Sequence, residues 1–241
     1  MTRVTTSPIA LSVALLLAIA PSLAARESDQ PVPPRVEIKY RMSIAGIVVG
    51  EGHDVLQHDG KTYSVVSESR TIGIAAIYRL LVRREAKGDV TAKGLRPLSF
   101  VETRNGRFTR SARFDWAAGF AELIDGEKKQ TVRLPPNTWD AASLPWTFAF
   151  WRPNGKSVQI YMTDGRRLTE YKYAVLGYEK LATPLGELDT VHVKKIQENG
   201  DRRGLDAWLA TDRLFLLARV RGTEKDGTVF DSIVQSVSLA R

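Results

Sequence analysis

The chain has no cysteine among its 241 residues. That excludes disulfides, thiolate nucleophiles and cysteine-held metals, and it leaves no residue for a diacylglyceryl anchor. Histidine is scarce too: His53, His58 and His192 are the three present. No two of them stand two or four residues apart and no HExxH occurs, so no metal site is expected. Glu51, His53 and Asp54 could meet at a bend, but three ligands on one short stretch need further support to make a site. There is no GxSxG elbow, no SxxK, no phosphate loop and no dinucleotide fingerprint. A Ser-His-Asp triad drawn from distant strands is recognised by geometry and leaves no spacing to read. Paired carboxylates could serve glycoside hydrolysis, with Glu51, Asp54, Glu122 and Asp206 as candidates. In a chain with 27 acids nothing singles them out. The sequence therefore leans away from an enzyme, and no catalytic residue and no cofactor is expected.

Long apolar runs are also missing, with one exception. Ile9–Ala20 is apolar for about 12 residues, where a bilayer span takes about 20. Arg3 precedes it, and Pro21, Ser22 and Ala24 follow as the small residues of a cleavage site. This is the pattern of a cleavable secretory signal over residues 1–24. It predicts an exported protein with no transmembrane segment in the mature chain. Residues 25–35, "RESDQPVPPR" and its border, read as a Pro-rich linker, and residues 36–241 as one domain.

Acid is in deficit. The net charge is +8, or +7 without Arg3, and basic residues recur in pairs such as Arg83-Arg84 and Lys194-Lys195. An exported chain is a poor partner for nucleic acid. Anionic envelope polymers and lipid headgroups suit it better, and a solvated basic surface is the plain alternative. The sequence leaves the oligomeric state unknown.

What is abundant is alternation. In "VEIKYRMSI" Val36, Ile38, Tyr40, Met42 and Ile44 share one face. Phe108, Ala112 and Phe114 do so in "RFTRSARFD", with Arg110 among them, as do Val158, Ile160 and Met162 in "SVQIYMT". Each reads as a half-buried antiparallel strand. Asn-Gly or Asp-Gly occurs seven times, from Asp59-Gly60 to Asp226-Gly227. Flanked by strands, each signals a hairpin, because both residues tolerate positive φ. Two stretches break the pattern. "TIGIAAIYRLL" (71–81) predicts a short helical turn between strands. "NTWDAASLPWTFAFW" (137–151) predicts one helix capped by Asn137 or Asp140, kinked or restarting at Pro145. The expected fold is mainly β: a strongly curved antiparallel sheet of successive hairpins, forming a barrel or half-barrel, with that helical segment inside or against it. A two-sheet β-sandwich is the alternative.

Three of the five tryptophans lie in the 137–151 segment. Trp146, Phe148, Phe150 and Trp151 could line an apolar pocket on the concave face. The competing reading is a plug that supplies the core. Further on, "YEKLATPLGELDTVHVKK" holds Asp189 and His192. Pro184 and Gly186 suit the second and fourth positions of a type I turn. Beyond that turn, alternation puts Asp189 and His192 on opposite faces, so they form no dyad with each other.

The stretches "TPLG" (Thr183–Gly186), "WLA" (Trp208–Ala210) and "GLRP" (Gly94–Pro97) carry a resemblance. With "YRMSIAGIVVGEG" and "RSARFDW", they make the chain from Val36 onward resemble the DUF3108 family of exported bacterial proteins. The family pattern has Glu two places before the tryptophan, where Asp206 stands here. It often has Pro in the next strand, where Leu216-Leu217-Ala218-Arg219 runs without one. The resemblance implies a periplasmic, predominantly β domain and no particular activity. Together these readings predict a periplasmic non-catalytic binding protein for an apolar or amphipathic envelope ligand, such as a lipid or polymer precursor. The alternatives are an envelope scaffold without a pocket, or a hydrolase of envelope polymers.

Overall fold

The structure is a computed structural model that describes residues 31–152, 155–197 and 202–240. The expected signal over 1–24, most of the linker and the Asn199-Gly200 turn lie outside the described residues, as does Asn154. Among the described residues fifteen strands form one sheet. In chain order they are β1 (Arg35–Ile44), β2 (Ile47–His58), β3 (Thr62–Thr71), β4 (Leu81–Thr91) and β5 (Gly94–Arg104). Then come β6 (Arg107–Asp115), β7 (Phe120–Asp125), β8 (Lys128–Arg133), β9 (Thr138–Asp140) and β10 (Ser157–Thr163). The last are β11 (Leu168–Thr183), β12 (Gly186–Lys195), β13 (Gly204–Ala210), β14 (Leu216–Thr223) and β15 (Val229–Ala240). One helix, α1 (Leu144–Phe150), follows β9, and a 3₁₀ turn, Gly73–Tyr78, joins β3 to β4.

Strand β1 starts in the middle of the sheet. Hairpins carry the chain outward from it, strand by strand, to β8 at one edge. The chain then crosses to the opposite edge, and β9 to β15 return until β15 pairs with β1. Every pairing is antiparallel except β9 with β10. Five of the Asn-Gly and Asp-Gly pairs fall in hairpins, after β2, β5, β7, β10 and β14. The β1–β2 turn uses Ala45-Gly46 instead, with φ of 49° and 81°.

The two edge strands do not pair with each other. The sheet nevertheless curls until its far ends touch. Trp139 on β9 donates to Leu95 O on β5 (2.6 Å), and Arg110 on β6 bonds Asp164 after β10 (2.8 Å). Gln130 on β8 donates to Arg166 O in the same turn. Gly165 permits this approach: it has φ +86°, and a Cβ there would lie 2.8 Å from Arg110 Cβ. The result is an open half-barrel closed by side chains, and all strands belong to one sheet rather than a sandwich.

Alternation builds the core. Val36, Ile38 and Tyr40 of β1 are buried, as are Leu56, Val65, Ala86, Phe100, Ala112 and Leu123 on successive strands. These neighbours are in register, so each apolar row crosses the sheet. Two expectations need correcting. Phe108 is half exposed, because β6 carries a bulge: Arg110 faces Glu102 and Phe108 faces Thr103, with Thr109 left over. The extra residue flips Phe108 to the other face. The helix predicted over 137–151 is also shorter. Residues 138–140 pair with β10, and α1 begins only at Leu144 with Pro145 in its first turn, where a missing N–H costs nothing.

Candidate functional site

The aromatic segment plugs the half-barrel. Asp140, fully buried, accepts from Ala142 N (2.8 Å), Ser143 N (2.9 Å) and Ser143 Oγ (2.6 Å). So Asp140 shapes the turn before the helix rather than capping its first residue, and Asn137 sits at φ +57° outside it. Tyr63 OH lies 2.7 Å from Ser143 Oγ and ties the turn to β3. Burial pushes the Asp140 carboxyl up to about 6, against those stabilising hydrogen bonds. Thr147 Oγ1 accepts from Leu95 N (3.0 Å). Gly94 makes the docking possible: its φ is +92°, and a Cβ would sit 2.6 Å from Thr147 Oγ1.

Of the four residues expected to line a pocket, Trp146 is buried in the core and its indole N–H has no partner. Phe148, Phe150 and Trp151 are half-buried. Phe150 meets His58 edge-on at 5.1 Å, and Trp151 stacks on Trp139 at 5.6 Å.

A groove of about 920 Å³ lies elsewhere, beside β1 to β3 and the 3₁₀ turn. Lys39, Arg41, Arg70 and Arg79 line it with Glu51, Glu68 and His53. Ile72, Ala76, Leu80 and Leu81 supply an apolar wall. Arg70 is bound to Glu51, and Glu68 to Arg83. Lys39, Arg41 and Arg79 have no ion pair among the described residues. A second groove, about 710 Å³, runs past Arg35, His58 and Lys87. The four aromatic residues line neither.

The conceivable metal cluster is split by the pleat. Glu51 and His53 face one side of β2, where His53 Nε2 lies 3.2 Å from Glu37 Oε2. Asp54 faces the other side beside Ser67, and burial raises its carboxyl to about 6. No group of three metal-ligating side chains occurs among the described residues. Beyond Asp54 a charged row crosses the inner face. Glu102, its side chain 1% exposed, takes Arg84 (2.9 Å) and Arg104 (3.1 Å). Burial opposes its ionisation, but the two guanidinium groups outweigh that and hold it below the usual carboxylate range. Arg110 links the row onward to Asp125 (3.1 Å) and Asp164.

Asp189 and His192 do part company: Asp189 pairs with Lys180 (2.6 Å). His192 finds partners across strands that no local pattern announces. Its Nε2 lies 2.8 Å from Asp206 Oδ1 and its Nδ1 3.4 Å from Glu179 Oε1. Its ring stacks on Trp208 at 4.3 Å, and the Trp208 indole donates to Glu179. Arg219 covers Trp208 at 5.4 Å and is itself fixed by Asp231. The partners are carboxylates, an indole and a guanidinium, with no hydroxyl nucleophile among them. The cluster pins β11 to β14 together.

A sequence profile described as "Protein of unknown function (DUF3108)" matches residues 39–233. The chain belongs to the DUF3108 family. No curated protein matches it. Among solved structures, the DUF3108 chain is similar to a beta-barrel-like protein of the DUF1849 family from Brucella abortus. The TM-score is 0.53 at 10% identity, covering 87% of this chain and 99% of the other. A protein from Parabacteroides distasonis gives a TM-score of 0.36 at 12% identity, covering 86% and 97%. The hypothetical lipoprotein YmcC from Escherichia coli gives 0.32 at 10%, covering 84% of each chain. At such identities the first likeness speaks for the fold alone: this chain shares a barrel-like sheet with that protein. No described helix of this DUF3108 member is long and apolar enough to cross a membrane.

Proposed function

We propose that the protein is an exported, periplasmic, non-catalytic binding protein that holds an amphipathic envelope molecule in the groove beside the 3₁₀ turn. The observation that carries this reading is the lining. Three cations without carboxylate partners among the described residues, Lys39, Arg41 and Arg79, face the same space as Ile72, Ala76, Leu80 and Leu81. A phosphate or carboxylate head group meets the cations, and an acyl or prenyl tail lies along the aliphatic wall. The volume, about 920 Å³, falls in the usual range of small-molecule sites, about 300–1,000 Å³. Export follows from the Arg3–Ala24 signal pattern. On this reading Trp146 and its aromatic neighbours serve packing, and the ligand sits on the other side of β1 to β3.

Native mass spectrometry of protein purified from the periplasm tests it. The wild type should carry an amphipathic species that Lys39→Glu/Arg41→Glu loses. Both side chains are exposed, so the fold should survive the exchange. Wild-type protein that emerges empty and binds no fluorescent acyl phosphate would overturn the proposal.

A further inference from the structure

The end of the sheet that carries the β1–β2 turn and the 3₁₀ turn is apolar where water should meet polar groups. Ile74, Ile77 and Tyr78 are 71%, 78% and 74% exposed, and no residue of the 3₁₀ turn is buried. Ile47 beside them is 53% exposed. Single exposed aliphatics are ordinary, but a contiguous cluster marks a surface that meets something. The segment is also well fixed. Ile72 N donates to Val49 O (2.9 Å), Thr71 N to Leu80 O (3.0 Å), and Arg79 N to Ala76 O (3.0 Å). Arg79 itself adopts φ +46° to end the turn. The backbone is thus bound to the sheet while the side chains point away from it.

Charge identifies the partner. Residues 44–48 and 72–81 contain no acid, and their one charge is Arg79. Behind them stand the exposed cations Lys39 and Arg41, which have no ion pair among the described residues. An apolar tip backed by cations suits a surface with an apolar interior and anionic head groups. A second copy of the chain fits poorly, because pairing the tips would bring two sets of cations together.

We infer that this tip docks the protein on an anionic lipid bilayer, with Ile74, Ile77 and Tyr78 entering the interface and Arg79, Arg41 and Lys39 meeting phosphates. Docking would place the groove mouth at the membrane surface, but the inference does not depend on the groove holding a ligand.

Vesicle co-sedimentation tests it, using the full mature chain and vesicles of phosphatidylcholine with or without phosphatidylglycerol. The wild type should sediment with the mixed vesicles, more weakly with neutral ones, and less as salt rises. Ile74→Asp/Ile77→Asp should lower partition by about ten-fold or more without changing the unfolding transition, since neither side chain is in the core. The same variant should still bind the acyl phosphate probe, because neither residue lines the groove; the two proposals can therefore fail separately. Docking is refuted if the wild type stays in the supernatant, or if the aspartate variant sediments equally. It is also refuted if the wild type is a dimer in ultracentrifugation that the variant turns into a monomer, for then a second copy covers the tip.

Discussion

Replacing Asp140 by Asn should change the sign of its effect with pH. The carboxyl is fully buried and its pKa stands at about 6, against 3.8 for the free group. The folded state therefore holds a proton that the unfolded state gives up between those values. Stability falls as pH rises through that window and is level above it. The gap is worth about 3 kcal/mol at 1.36 kcal/mol per unit. Asn keeps the Oδ1 acceptor for Ala142 N and Ser143 N, and Nδ2 can donate to Ser143 Oγ. The serine hydroxyl then loses its acceptor, at a cost of about 1 kcal/mol. The Asn variant should thus be about 2 kcal/mol more stable than wild type at about pH 7.5, and about 1 kcal/mol less stable at about pH 3.5. The curves should cross near about pH 4.5. Urea unfolding followed by tryptophan fluorescence across this range gives both curves. Asp54 titrates in the same window, but it is common to both proteins and drops out of the difference. A difference that stays flat with pH would refute the claim that Asp140 is a buried acid. A variant as unstable at about pH 7.5 as Asp140→Ala would refute the account of its hydrogen bonds.

Glu102→Ala should cost about 1–3 kcal/mol by denaturant unfolding, because it removes the shared acceptor of Arg84 and Arg104, whose side chains are 34% and 45% exposed; a loss under about 0.5 kcal/mol would show the row is solvated. Gly94→Ala should cost well over twice what Gly60→Ala costs in thermal unfolding. Both have φ above +80°, but only Gly94 meets a neighbour, Thr147 Oγ1 at 2.6 Å; equal losses would discount that contact. Trp139→Phe should cost about 1–2 kcal/mol more than Trp146→Phe, since Trp139 donates to Leu95 O and the Trp146 N–H has no partner to lose. Arg110→Ala should raise hydrogen exchange in β8 and in the Asp164–Arg167 turn, because that side chain ties β6 and β7 to the turn; unchanged exchange there would mean that Gln130 and the plug hold the seam without it.

Local chemistry made the hairpins readable. Asn105-Gly106 adopts φ of 50° and 76°, the primed turn that the dipeptide favours. Asp59 works differently: its Oδ1 accepts from Lys61 N (2.8 Å) and Thr62 N (2.6 Å), and only Gly60 takes positive φ. Pro145 marked where the helix could begin. What stayed hidden depends on pairing between distant strands. Nothing local announces that β15 lies against β1, or that the chain leaps from one edge to the other after β8. The His192 cluster is hidden for the same reason. Alternation correctly separated His192 from Asp189, but only the β12–β13 register brings Asp206 to its ring. Phe108 shows the limit of alternation itself, since one residue of bulge reverses a face without altering the pattern of residue types. The exposed tip was present in the sequence as "GIAAIY", and an apolar 3₁₀ turn reads the same whether it faces the core or water.

The three most distinctive family-like stretches, Gly94–Pro97, Thr183–Gly186 and Trp208–Ala210, act on the fold. Gly94 makes room for Thr147, and Pro97 O accepts from Trp116 Nε1 (2.7 Å). Thr183 Oγ1 donates to Gly186 O (2.7 Å) and accepts from Leu185 N, fixing the β11–β12 turn. Trp208 stacks on His192, and Asp206, the acid two places before it, holds that ring. Ala218 sits extra in the β14 bulge opposite Trp208 and Leu209 without any proline there. These residues make the sheet curl, seat its plug and stitch its strands. The groove and the tip use Lys39, Arg41, Ile74, Ile77 and Arg79, none of them in the three most distinctive stretches. On the proposed reading, the basic groove and the apolar tip beside it are where a partner is to be sought, because the fold by itself assigns no activity.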